Sequence, residues 1–182
     1  DHFAIRENIS ILKKNGVVIL EPENGYLTSY VEGADASPSV VHRDFHDYNG
    51  YLYAVADEGQ STLQIINISQ LPNSYEVIYD SDEIIKRAHN IFIDENNAMM
   101  YVCGGRVNNE WNDLALVSLE DPENPVFLRT YEDIGYVHDI YVINNIAYLN
   151  AGNNGLFIVD FSDVENPELL GSLTEYPDKG YN

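Results

Sequence analysis

A single cysteine, Cys103, stands in the 182 residues, so no disulfide can form within the chain and the fold must rest on its core and its backbone ladders. That cysteine sits in the apolar run Met99-Met100-Tyr101-Val102-Cys103, which suits a small buried hydrophobe better than a nucleophile. Basic residues are few as well. Nine Lys and Arg stand against thirty Asp and Glu, a formal net charge of −21, and a field of that sign repels phosphate backbones and anionic lipid surfaces. Nucleic acid is therefore excluded as a partner. No apolar run approaches the ~18 residues of a membrane span, and no basic-then-apolar leader opens the chain. Phosphate-binding and hydrolase signatures are missing as well. Cys103-Gly104-Gly105-Arg106 has no following lysine or helix, and no Gly-x-Ser-x-Gly elbow occurs.

What the chain has is strand-forming residues. The hydrophobic fraction is 45% and fourteen tyrosines dominate the aromatics, a composition that folds and favours β-structure. Its pattern repeats. His42-Arg43-Asp44-Phe45, His89-Asn90-Ile91-Phe92 and His138-Asp139-Ile140-Tyr141 open three similar segments at intervals of 47 and 49 residues. Each opening passes through a polar turn (Asp47-Tyr48-Asn49-Gly50, Asp94-Glu95-Asn96-Asn97 or Asn144-Asn145) into a second apolar run bearing a tyrosine. Asn, Asp and Gly tolerate left-handed backbone, so each pair reads as a β-hairpin.

A third run follows in each unit: Leu63–Ser69, Leu114–Leu119 and Leu156–Phe161. In two units a proline corner then leads to a fourth, Val126–Arg129 or Glu168–Gly171. Four short strands per unit of about 47 residues is the pattern of a propeller blade. The expectation is an all-β, β-propeller-like array of four-stranded antiparallel blades. A partial blade would span 1–41, with successive blades at 42–88, 89–137 and 138–182. The array would be a piece of a longer one, its open blade edges covered by the rest of the propeller or by another chain. A plain β-sandwich is the competing architecture, but it does not require the same residue types to return in the same order. The one short stretch with helical character is Ser81–Arg87, one or two turns at most.

The three openings, joined to Leu156-Phe157-Ile158-Val159-Asp160 and Glu165-Asn166-Pro167-Glu168-Leu169-Leu170, resemble the LVIVD repeat found in the choice-of-anchor B family. Arg43-Asp44, Tyr51-Leu52-Tyr53-Ala54, Leu63-Gln64-Ile65, Ala88-His89-Asn90 and Val137-His138-Asp139 follow in the order in which that family carries such elements. The resemblance covers about residues 40 to 175. It implies a β-propeller-like domain of an exported bacterial protein, displayed at the cell surface by a C-terminal anchor that differs between members. It brings no catalytic activity with it.

The recurring histidines are the feature that invites a mechanism. If each opens the innermost strand of its blade, His42, His89 and His138 face one end of the central channel, backed by Asp44, Asn90 and Asp139, with His46 nearby. Imidazoles with carboxylate partners suit a transition metal. Equivalent positions on neighbouring blades are nevertheless expected to lie too far apart to share one ion, so the favoured role is hydrogen bonding to backbone at each blade junction. Calcium is a second candidate, through the loops 94–97, 108–113 and 121–124, although none has EF-hand spacing. Trp111, between acidic neighbours in what reads as a long loop, is a candidate ligand contact. The functional expectation is a non-catalytic extracellular or cell-surface module that binds a protein or carbohydrate partner. The alternative is a metal-dependent enzyme with a histidine-lined site at the channel.

Overall fold

The computed structural model describes residues 33–35 and 39–177. The partial blade expected over 1–41 falls almost wholly outside these residues. The described chain is nearly all β. Twelve strands form three antiparallel four-stranded sheets, each with its strands in simple sequence order.

The first blade comprises β1 (Arg43–Tyr48), β2 (Tyr51–Ala56), β3 (Leu63–Asn67) and β4 (Glu76–Ser81). β5 (Ile85–Asp94), β6 (Met99–Val107), β7 (Glu110–Ser118) and β8 (Val126–Thr130) make the second. The third holds β9 (Asp139–Ile143), β10 (Ile146–Asn150), β11 (Leu156–Asp160) and β12 (Glu168–Leu173), with one 3-10 turn at Gly152–Asn154. The first strands of the blades touch, β1 against β5 and β5 against β9. They line a common axis, and β4, β8 and β12 form the outer rims.

Local chemistry sets the hairpins. Asn49 and Gly50 carry φ of +50° and +84°, Asn108 and Asn109 of +51° and +64°, and Asn144 and Asn145 of +51° and +66°. These two-residue turns are left-handed at both positions, the geometry that matches the strand twist and that Asn and Gly adopt at least cost. The proline corners share another device. Asp121 accepts the Glu123 amide and the Asn124 side-chain amide, and Asp163 does the same for Glu165 and Asn166. Each carboxylate is held below its usual range, first by the asparagine side chain and then by the backbone amide. The third and fourth strands slip register between Ile65 and Ile66, Leu116 and Val117, and Ile158 and Val159. Tyr53 pairs with Ile65, Tyr101 with Leu116 and Tyr148 with Ile158, so the bulge recurs at one place in every blade.

Two apolar layers lie between the blades. Tyr53, Val55, Leu63 and Ile65 of the first blade meet Ile91, Ile93, Met100, Val102, Ala115 and Val117 of the second. On the other face of the second blade, Tyr101, Cys103, Leu114 and Leu116 meet Ile140, Val142, Ala147, Leu149, Val159 and Phe161. Alternation along β6 and β7 sends successive side chains into different layers, which is why both strands are buried throughout their centres. Polar bonds pin the same junctions. Tyr53 donates to the Pro122 carbonyl at 2.8 Å and Tyr51 to Glu123 at 2.6 Å, while Arg129 donates to the Val164 and Glu165 carbonyls.

Two expectations of detail change. Residues 82–84 form a bend and Ile85 already begins β5, so 81–87 contains no helical turn. His89 therefore sits within β5, whereas His42 and His138 stand immediately before β1 and β9.

Candidate functional site

Three imidazoles meet at one end of the blade axis. Strands twisted about a shared axis converge there, and the residues before β1 and β9 and within β5 are carried to the same mouth. His89 and His138 have ring centroids 4.5 Å apart with their Nε2 atoms at 3.0 Å, and the His42 ring lies 6.1 Å from that of His89. The expected separation between blades is thus wrong for this pair. The backbone-bonding role is also incomplete, because His42 Nδ1 and both ring nitrogens of His89 face carboxylates or a second imidazole.

Those carboxylates are Asp57 and Glu58, in the segment that follows β2, and they replace Asp44 and Asp139 as partners of the cluster. His89 Nδ1 lies 2.7 Å from Asp57 Oδ2, and His42 Nδ1 lies 2.5 Å from Glu58 Oε1. Glu58 is fixed further by the amides of Val41 and His42, both at 3.1 Å from Oε2. The hydrogen bond to Glu58 raises the His42 pKa from its ordinary value, and the same contact lowers that of Glu58. One carboxylate oxygen each of Asp57 and Glu58 and one His42 ring nitrogen all lie within 4.8 Å of one another.

The remaining candidates serve elsewhere. Asp44 accepts the Ile91 amide at 2.7 Å and His46 Nδ1 accepts that of Ile93 at 3.3 Å, so β1 stitches itself to β5 through two side chains. Asp139 accepts the amide of Ile140. Asn90 Oδ1 is shielded and has no hydrogen-bond partner.

The loops considered for calcium are committed to turn formation. Asp94 is buried and accepts both the Asn97 side chain and the Asn145 amide of the third blade. Asp121 spends both oxygens within its own corner. The segment 108–113 is no long loop: Asn108-Asn109 is a tight turn, and Asn112 is buried, donating to the Val107 and Glu110 carbonyls.

Trp111 belongs to β7 and is 58% exposed. It pairs across the hairpin with Arg106. Together with Lys86, Arg87 and Asn109 these residues line a cleft of about 340 Å³. Arg87 Nε donates to the Gly59 carbonyl at 2.9 Å, which ties the cleft to the segment carrying Asp57 and Glu58. Lys86 also pairs with Asp82 at 2.8 Å. Cys103 is buried, with its thiol pushed up by desolvation and so kept inert.

Residues 134–175 match the family model for the LVIVD repeat. The LVIVD match spans β9 to β12, so one repeat corresponds to one whole blade and its approach segment. LVIVD repeats form β-propellers, in agreement with the four-stranded sheets seen here. No curated protein matches the chain.

Sequence reasoning missed Asp57 and Glu58. In register they correspond to Gly105 and Arg106 in the second blade and to Gly152 and Asn153 in the third. A residue that does not recur is invisible to a search for recurrence.

Proposed function

We propose that this chain is a non-catalytic binding module of an exported bacterial protein, displayed outside the cell, and that its ligand is an acidic carbohydrate. One observation carries the reading. In a chain of net charge −21 with nine basic residues, three of them, Lys86, Arg87 and Arg106, gather in one cleft beside an exposed tryptophan. A flat indole offers a sugar ring an apolar platform, and guanidinium groups form paired hydrogen bonds with carboxylates. The acidic surface elsewhere repels an anionic sugar, so its binding is confined to this cleft.

Titration with uronic-acid oligosaccharides tests the reading. Saturable binding is expected, weakened at least tenfold in Trp111→Ala and in Arg106→Ala while the melting temperature stays unchanged. Equal binding of neutral oligosaccharides, or unchanged affinity in both variants, would overturn it. Catalytic turnover of the bound sugar that depends on His89 and His138 would favour the enzyme alternative.

A further inference from the structure

We infer that the axial cluster is a binding site for one divalent transition-metal ion, held by His89 and His138 through Nε2 and completed by His42. The site is separate from the tryptophan cleft and stands whether or not that cleft takes a sugar.

The approach of the two rings is the first ground. Metal–nitrogen bonds of about 2.0–2.1 Å place adjacent ligand nitrogens about 3.3 Å apart in a tetrahedron and about 2.9 Å apart at a right angle. The observed Nε2–Nε2 separation of 3.0 Å lies between these. Without a metal one of the two nitrogens must carry a proton and donate it to the other.

Proton placement is the second ground. His89 Nδ1 faces the Asp57 carboxylate, which can only accept, so the His89 proton sits on Nδ1 and the Nε2 lone pair points at His138. His42 repeats the arrangement, with Nδ1 on Glu58 and Nε2 left for an ion. Two imidazoles each backed by a carboxylate form the outer support that metal-binding histidines commonly have, fixing the tautomer and raising the basicity of the ligand nitrogen. His42, held by Glu58 through Nδ1, stands beside the pair with its ring 6.1 Å from that of His89.

Ligand type fixes the metal class. Imidazole nitrogen selects zinc, cobalt or nickel over calcium and magnesium, which prefer oxygen. Three protein ligands would leave one coordination position of a tetrahedral ion open.

Metal-stripped, tag-free protein titrated with Zn(II) in excess Mg(II) tests this. One equivalent should bind, and Co(II) in its place should give a visible ligand-field spectrum. Asp57→Asn should weaken binding 10–100-fold, and the His89→Ala/His138→Ala pair should abolish it. If those variants fail to fold, nitrogen NMR of the native chain decides, because Zn(II) must shift the Nε2 resonances of His89 and His138. Absence of saturable Zn(II) binding overturns the inference, as does binding retained in the folded double variant or Nε2 resonances that do not move. Trp111→Ala should bind Zn(II) like the native chain, so failure here and failure of the carbohydrate reading are distinguishable.

Discussion

His89 and His138 lie 49 residues apart in sequence, yet their Nε2 atoms are separated by 3.0 Å. A displacement of one blade against the next by a bond length would part them. Whatever this pair does depends on the bonds that lock neighbouring blades.

The Asp44 contact is one such lock. Asp44→Ala leaves the Ile91 amide without its acceptor in a partly enclosed place, and the loss of stability should be about 1–2 kcal/mol by urea unfolding. Zn(II) binding should persist in the folded fraction, since Asp44 touches none of the three imidazoles.

Tyr53 is a second lock at the same junction. Its ring is fully buried and its hydroxyl reaches the Pro122 carbonyl. Tyr53→Phe should cost about 1 kcal/mol and Tyr53→Ala about 3–5 kcal/mol, the difference being the cavity left between blades. Thermal or urea unfolding measures both.

Gly104 has φ of +49°, and a Cβ there would come within 2.3 Å of the Tyr136 ring. Gly104→Ala should therefore destabilise the fold by about 1–3 kcal/mol, since backbone strain and the clash act together. Adding Tyr136→Ala should recover the part due to the clash and leave the part due to φ.

In metal-free protein, the His42 imidazole should titrate above its ordinary value of 6.5, and Glu58→Gln should return it toward that value. The sign follows from linkage. His42, raised in the folded state, contributes stability below its unfolded pKa and loses it as pH rises through the folded one. Glu58, lowered when folded, contributes above its unfolded pKa and loses it as pH falls through its folded value. The pair is therefore strongest between the ordinary values of 4.5 and 6.5. Proton NMR of the His42 ring across that window checks the prediction.

Much of the architecture was legible because the signals are local and repeated. Asn49-Gly50 and Asn144-Asn145 announce their hairpins, and Leu156–Phe161 announces a strand by residue type alone. The start of β5 was not legible. Ser81-Asp82-Glu83 looks like a helix cap, and only the pairing of Ile85 with Val107 across the sheet decides for a strand. The histidines were legible as a set, but their distance was not, since it depends on how tightly the blade mouths close. Asp44 and His46 looked like ligands because they neighbour His42. Alternation and packing instead direct them to the backbone of β5, and the true carboxylate partners come from the end of another strand.

The slip between third and fourth strands has its own consequence. Each rim strand is bent out of line at the same step, and an extended peptide seeking to add itself there meets a kinked ladder instead of a flat one. The kink thus works against margin-to-margin pairing of neighbouring copies.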